Sequence, residues 1–144
     1  MNSPPALSLS DREAILFANE AFYAAFAGKA FAAMDDLWAD GDVTCIHPGW
    51  PPLRGRDAVM ASWRDILGHE PPDVSAHRTD VGLRGGVAVV TCLELIPGTG
   101  RPQLLSATNL FVKQGAVWKM IHHQAGIANV DPRTLGEKEK PSVN

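Results

Sequence analysis

Two adjacent histidines near the end of the last apolar segment are the residues best suited to chemistry. Residues 116–125 form a strand-like run that contains His122 and His123 side by side. Because side chains alternate between the two faces of a strand, the two imidazoles must point in opposite directions. One of them can therefore face an interior pocket and exchange protons near neutral pH. This pattern locates a candidate site without identifying a substrate.

A second candidate base, His47, lies at the end of a short strand-like segment. It begins the sequence His-Pro-Gly-Trp-Pro-Pro at residues 47–52, which cannot form regular structure because of its prolines and glycine. Loops at strand ends often carry functional groups. His47 is therefore either a general acid–base group or a ring that caps loop carbonyls. His123 presents the same choice between a pocket base and a histidine satisfied within a polar patch.

The composition excludes several other classes of function. The chain has 144 residues and a formal net charge of -3, with basic residues scattered along it, so nucleic acid and membrane are poor candidate partners. It contains no phosphate loop, nucleophile elbow or dinucleotide fingerprint. A metal site would need a third ligand converging on His47 and His123. We expect no cofactor and no metal. The N-terminus lacks the features of a signal peptide, which predicts a cytoplasmic location.

The elements that must position these histidines are three helices followed by a run of strands. Ser10 and Glu13 form a capping box that predicts the start of the first helix. Two shorter helices are predicted near residues 31–38 and 56–67, and strands over 74–83, 87–96, 103–112 and 116–125. This order indicates an α+β domain over residues 10–130. Residues 1–9 are predicted to be a flexible N-terminus, and residues 131–144 a mobile tail.

The strand-like run 87–96 is apolar on both of its faces. An antiparallel sheet usually leaves one face exposed to water, so two dry faces need two covers. The helices can supply one cover, and a second copy of the chain is the simplest source of the other. We therefore predict a homodimer formed through the outer face of the sheet. Cys45 and Cys92 lie within apolar runs and are expected to be small buried hydrophobic residues.

Two local patterns resemble a known superfamily. The first is Cys-Ile-His-Pro-Gly at residues 45–49 followed by Leu-Arg-Gly-Arg-Asp-Ala-Val at 53–59, and the second is Gly-Ala-Val-Trp-Lys-Met-Ile-His-His at 115–123. Together with the element order, they resemble the SnoaL-like proteins of the nuclear transport factor two-like superfamily. The second pattern is also similar to the closing strand of the calcium/calmodulin-dependent kinase association domain. The resemblance implies a cone-shaped, curved antiparallel sheet wrapped around three N-terminal helices, the cystatin-like fold.

The resemblance also implies a deep pocket between the sheet and the helices, and a set of residues that line it. By similarity, His47 lines this pocket, with Trp50 as an apolar lid or a loop-packing residue. Inward positions on the strands would be occupied by Thr91, Asn109, Ile121 and His123. Asn109 would donate to a ligand carbonyl or simply tie strands together. His122 would then face outward together with Trp118 and Met120, and Glu94 would lie on the outer, dimer-forming face.

These residues suggest two functions. As an enzyme, the protein would be a cofactor-independent isomerase, dehydratase or cyclase acting on a small apolar carbonyl compound. One histidine would remove a proton, while Asn109 or the second histidine would stabilise the oxyanion. Alternatively, the chain is a non-catalytic module that binds a ligand or forms an assembly. Related enzymes place acidic residues and tyrosines in their pockets, but Tyr23 is predicted on the first helix, and no carboxylate partner for His123 is evident.

Overall fold

In the computed structural model, which describes residues 8–98, 100–133 and 135, three helices pack against a six-stranded sheet. In chain order the elements are α1 (Leu9–Ala27), α2 (Phe31–Leu37), β1 (Thr44–Ile46), β2 (Leu53–Arg54), α3 (Arg56–Gly68), β3 (Ser75–Arg84), β4 (Val87–Ile96), β5 (Gln103–Gln114) and β6 (Val117–Ile127). The predicted α+β class is confirmed. No helix among the described residues is long and apolar enough to span a bilayer.

Helix α1 begins slightly earlier than its sequence pattern predicts. Its N-cap is Ser8, whose hydroxyl accepts a hydrogen bond from the backbone N–H of Asp11 at 3.1 Å. The predicted cap, Ser10, already lies within the helix, because the Ser8 side chain caps the backbone N–H of Asp11 in the first turn. The predicted boundary at residue 10 therefore falls inside α1. Most of the segments predicted to be flexible, residues 1–7, 134 and 136–144, lie outside the described residues.

The sheet is mixed rather than purely antiparallel. Its strand order is β2-β1-β6-β5-β4-β3, and β1 pairs with β6 in parallel while the other pairs are antiparallel. The pair can be parallel because β2, α3 and the strands β3 to β5 lie between β1 and β6 in sequence. This long connection supplies the crossover that parallel strands require. As a result, the short strand carrying Cys45 lies beside the strand carrying His123.

A β-bulge in β6 changes which of its residues face the helices. Leu110 pairs with His122 and Phe111 with Met120, so Ile121 is an extra residue opposite the same stretch of β5. A bulge resets the alternation of side chains. Met120 and His123 therefore face the same side, and both are buried. The prediction that Trp118 and Met120 face away from His123 is wrong, because simple alternation does not hold across the bulge.

Strand β4 presents the opposite face to the helices from the one predicted. Its buried residues are Ala88, Val90, Cys92 and Glu94, whereas Thr91 is exposed on the outer face. The predictions that Thr91 faces inward and Glu94 outward are both wrong. Alternation could not distinguish the faces, because both are apolar and the contact that decides between them comes from Tyr23 on α1. The two cysteines are buried and free, as predicted.

Candidate functional site

The two histidines proposed from the sequence lie on the same face of the sheet. His123 is opposite Asn109 on one side and Cys45 on the other, and His47 follows Cys45 by two residues. The ring centroids of His47 and His123 are 6.3 Å apart. His47, Asn109 and His123 are all buried, with exposed fractions of 3%, 0% and 1%. The structure thus brings these three predicted site residues together.

A continuous chain of hydrogen bonds joins His123 to α1 and β4. His123 Nδ1 is 2.6 Å from Asn109 Oδ1. The Asn109 amide nitrogen donates to Asn19 Oδ1 at 2.9 Å and to the Tyr23 hydroxyl at 3.2 Å. Tyr23 in turn donates to Glu94 Oε2 at 2.7 Å. All five side chains are buried, so this polar network is enclosed within the core.

The network fixes the proton position on His123. Both amide hydrogens of Asn109 are used by Asn19 and Tyr23, so its Oδ1 can only accept from His123. Nδ1 of His123 must therefore carry the hydrogen of the neutral ring. The lone pair is on Nε2, which lies 3.9 Å from Glu94 Oε2. A carboxyl group and an imidazole lone pair consequently face each other across a short gap.

Small side chains allow Glu94 to approach His123 across the sheet. Cys92, Ala107 and Ala125 are aligned in one row of β4, β5 and β6. This row lies between the row containing Glu94 and the row containing His123. Because these side chains are short, the carboxyl group can extend over them toward the imidazole. A larger residue at Ala107 or Ala125 would fill the space between the two groups.

The second histidine, His47, is held by α3. The single hydroxyl hydrogen of Ser62 is donated to the carbonyl of Val59 at 2.6 Å. His47 Nε2, 2.9 Å from the same hydroxyl, must therefore be the donor of that pair. Its Nδ1 retains the lone pair. The rings of Trp50 and Trp63 contact His47 edge-on, at centroid distances of 5.0 and 4.8 Å.

Burial shifts the pKa values of Glu94, His47 and His123 away from their ordinary range. It raises the pKa of Glu94 to about 7, although the hydrogen bond from Tyr23 acts in the opposite direction. Burial lowers the pKa of His47 to about 4. It lowers the pKa of His123 to about 3, with the charges of His47 and His122 acting in the same direction. The histidines are therefore neutral at pH 7, and Glu94 is the group that changes charge there.

Four members of the cluster were not identified from the sequence: Asn19, Tyr23, Ser62 and Glu94. One signal was available for Glu94, since it is the only charged residue within the apolar run 87–96. Asn19 and Tyr23 are four residues apart and so share one face of α1.

Of the other predicted residues, Ile121 is half-buried against the core, and Thr91 lies on the outer face away from the cluster.

A surface cleft adjoins the cluster on the side of the His47 loop. It has a volume of about 450 Å³ and is lined by residues that include Pro48, Gly49 and Leu105. His47, Asn109 and His123 do not line it, because the surrounding side chains enclose them. Trp50, which is 39% exposed, lies beside His47 at the start of this loop.

The three helices and the six-stranded sheet place the protein among the proteins with a nuclear transport factor 2-like, cystatin-like fold. Within that class the chain belongs to the SnoaL-like family, whose domain matches residues 15–129. The resemblance noted from the sequence is thereby confirmed. No curated protein matches the sequence significantly.

Solved structures with the same fold include proteins of different character. One, from Streptomyces avermitilis and proposed to be a dehydratase of the NTF2-like family, is 33% identical, with a TM-score of 0.75, over 84% of this chain and 98% of that one. Another, proposed to be a calcium/calmodulin-dependent protein kinase type II association domain from Thiobacillus denitrificans, is 29% identical, with a TM-score of 0.66, over 88% and 100%. A structure proposed to be a ketosteroid isomerase from Parabacteroides distasonis is 18% identical over 88% of this chain and 93% of that one, with a TM-score of 0.69, and shows the fold alone.

Proposed function

We propose that the protein catalyses cofactor-independent proton transfer on a small apolar carbonyl compound, as an isomerase, dehydratase or cyclase. The observation that carries this proposal is the buried carboxyl group of Glu94 facing the lone pair of His123 Nε2 at 3.9 Å. Paired acid–base groups in an enclosed apolar setting are suited to removing a proton next to a carbonyl. The similarity to the Streptomyces avermitilis protein, proposed to be a dehydratase, supports the same class of reaction.

Glu94 is the better general base of the cluster at neutral pH. A base works best when its pKa is close to the working pH. The pKa of Glu94 is about 7, whereas those of His47 and His123 are about 4 and 3. We therefore assign proton removal to Glu94 rather than to a histidine. His123 Nε2 is placed to accept that proton from the carboxyl group and pass it on.

The reaction is balanced without an oxidant or reductant. Glu94 takes the proton from the α-carbon, and the electron pair of the broken C–H bond moves to the carbonyl oxygen to form an enolate. The proton is then returned to another carbon, which completes an isomerisation, or to a leaving hydroxyl group, which departs as water. Asn109 has no free N–H for the enolate oxygen, so we assign it the role of orienting His123. Trp50 serves as the lid of the site.

The proposal is tested by deuterium uptake from heavy water into the α-carbons of cyclohexanone, followed by NMR. We expect uptake above the uncatalysed rate, with a pH profile that rises through about pH 7, because the Glu94 carboxylate is the active form. Absence of catalysed deuterium uptake into cyclohexanone and into larger cyclic ketones would contradict an enzymatic role. The predicted cytoplasmic location remains a prediction.

A second candidate function, assembly through the sheet, is favoured by the outer face. Val87, Val89 and Leu93 of β4 and Leu110 and Val112 of β5 lie on this face and are only half-buried in the single chain. Such an apolar face commonly marks an interaction surface. The similarity to the protein proposed to be an association domain supports oligomerisation. We propose a homodimer through this face, which is compatible with either function.

We expect the substitution Val89→Glu to dissociate this dimer, because it would place a charge without a partner in the middle of the apolar face. The dissociation constant should rise by about 100-fold or more, as measured by light scattering across a dilution series. The matched control is Phe17→Glu on α1, since Phe17 is 77% exposed and lies on a different surface. A dimer that survives Val89→Glu but is lost in Phe17→Glu would show that the interface involves the helices instead.

A further inference from the structure

Two buried N–H groups beside the histidine cluster have no hydrogen-bond acceptor among the residues that the structure describes. They are the side-chain amide of Asn19 and the indole nitrogen of Trp63. Both residues are 0% exposed. Buried donors without acceptors are uncommon in native proteins, because losing water without gaining a partner is unfavourable. Two such donors next to one acid–base cluster therefore indicate that an acceptor is supplied by something that binds there.

The positions of the two donors place them around His123. Asn19 is linked to His123 through Asn109, to which it is hydrogen-bonded at 2.9 Å. The Trp63 ring is 6.0 Å from the His123 ring and 4.8 Å from the His47 ring. Phe22, three residues after Asn19 on the same face of α1, contacts both rings, at 4.8 Å from His123 and 5.4 Å from Trp63. The two donors thus border the same part of the core.

The other polar groups of the cluster are already committed to partners. Asn109 donates to Asn19 and Tyr23, His123 Nδ1 donates to Asn109, and the Nε2–H of His47 donates to Ser62. Tyr23 donates its only hydrogen to Glu94. These residues can therefore offer a ligand hydrogen-bond acceptors but no free hydrogen-bond donors. A ligand oxygen can obtain hydrogen bonds only from N–H groups that have no partner.

We propose that Asn19 and Trp63 are the residues that bind the carbonyl oxygen of the ligand. This inference rests on the proposed function, because it takes the ligand to be the small carbonyl compound on which Glu94 acts. The two N–H groups hold the oxygen in the ground state, and they stabilise the negative charge that develops on it when the α-proton leaves. The site therefore selects ketones and aldehydes over hydrocarbons of the same shape.

The test compares cyclohexanone with methylenecyclohexane, which has nearly the same shape but carries a CH₂ group in place of the oxygen. Nitrogen–proton correlation spectra of the wild-type protein report on the indole N–H of each tryptophan and on the Asn19 amide. We expect cyclohexanone to shift the Trp63 and Asn19 resonances downfield, as a new hydrogen bond requires. Methylenecyclohexane should cause no downfield shift of the Trp63 and Asn19 resonances. Equal shifts with both probes, or none with cyclohexanone, would overturn the assignment.

Variants separate the donors from general packing. Asn19→Leu and Trp63→Phe should each weaken cyclohexanone binding about tenfold, the effect of losing one hydrogen bond, and leave methylenecyclohexane binding nearly unchanged. The control is Trp118→Phe, because Trp118 also has a buried N–H without an acceptor but lines a different cleft, against α1 and α2. An equal loss for both probes in Asn19→Leu and Trp63→Phe would overturn the assignment.

The binding and exchange measurements distinguish failure of the donor assignment from failure of the catalytic proposal. Selective binding of cyclohexanone without deuterium uptake would support the two donors and contradict the enzymatic role. Deuterium uptake that is unchanged in Asn19→Leu and Trp63→Phe, with no selectivity for the ketone, would support the enzymatic role and overturn the donor assignment.

Discussion

The substitution Glu94→Gln is expected to reduce deuterium exchange into cyclohexanone by about 100- to 10,000-fold, the usual contribution of a general base. Glutamine matches the shape of the neutral carboxyl group and can still accept the hydrogen bond from Tyr23, but it cannot take up a proton. The loss would therefore reflect the chemistry of the carboxyl group rather than a collapse of the buried network. The remaining activity should also lose the rise through about pH 7 that the Glu94 carboxylate causes.

The matched control for this prediction is Glu13→Gln, which removes an exposed carboxylate from α1. Its exchange rate should equal that of the wild type. His123→Gln provides a second comparison, since it preserves a polar side chain but removes the Nε2 lone pair facing Glu94. Exchange that is unaffected by Glu94→Gln but lost in His123→Gln would transfer the role of base from the carboxylate to the imidazole.

The same substitution should stabilise the protein at alkaline pH. Burial raises the pKa of Glu94 from 4.5 to about 7, so the unfolded chain loses its proton at lower pH than the folded chain. The stability associated with this group is fully present below about pH 4.5 and is lost as the pH rises through about 7. The loss amounts to ~3 kcal/mol, or a few hundredfold in the unfolding equilibrium constant.

Urea unfolding of the wild type and Glu94→Gln across the pH range measures this effect directly. The free energy of unfolding of Glu94→Gln minus that of the wild type should increase by up to ~3 kcal/mol between about pH 4.5 and pH 8, so the variant becomes relatively more stable. The buried histidines also make stability depend on pH, since their lowered pKa values cause stability to fall as the pH drops below about 6.5. They are present in both proteins, so their contribution cancels in the difference. A difference that is independent of pH would mean that Glu94 is not buried as a neutral acid.

These two predictions describe a compromise between stability and activity at Glu94. A buried carboxyl group without a cationic partner is unfavourable at neutral pH, yet that same burial brings its pKa into the range useful for a base. A substitution that abolishes activity while increasing stability is the expected signature of a functional residue rather than a structural one.

The sequence by itself determined the fold class and the region of the site. The helices could be inferred from apolar spacing and the strands from alternation, since both signals are local. The pattern around His47 and the closing strand with His123 identified the superfamily. The expectation that His47 and His123 face one pocket came from that resemblance, because alternation alone shows only that one of the adjacent His122 and His123 faces inward.

Tertiary structure decided the parts of the site that depend on contacts between distant elements. The bulge at Ile121 put Met120 and His123 on the same face, and no local signal marked it.

For β4, both faces are apolar, so only packing against Tyr23 of α1 decided that Glu94 is inside and Thr91 outside. The partners of His123 and His47 come from α1, α3, β4 and β5, and side chains that meet in space without regular spacing leave no periodic trace in a sequence. Local patterns therefore determined where the candidate site lies, and long-range packing determined which carboxyl group lies beside its histidines.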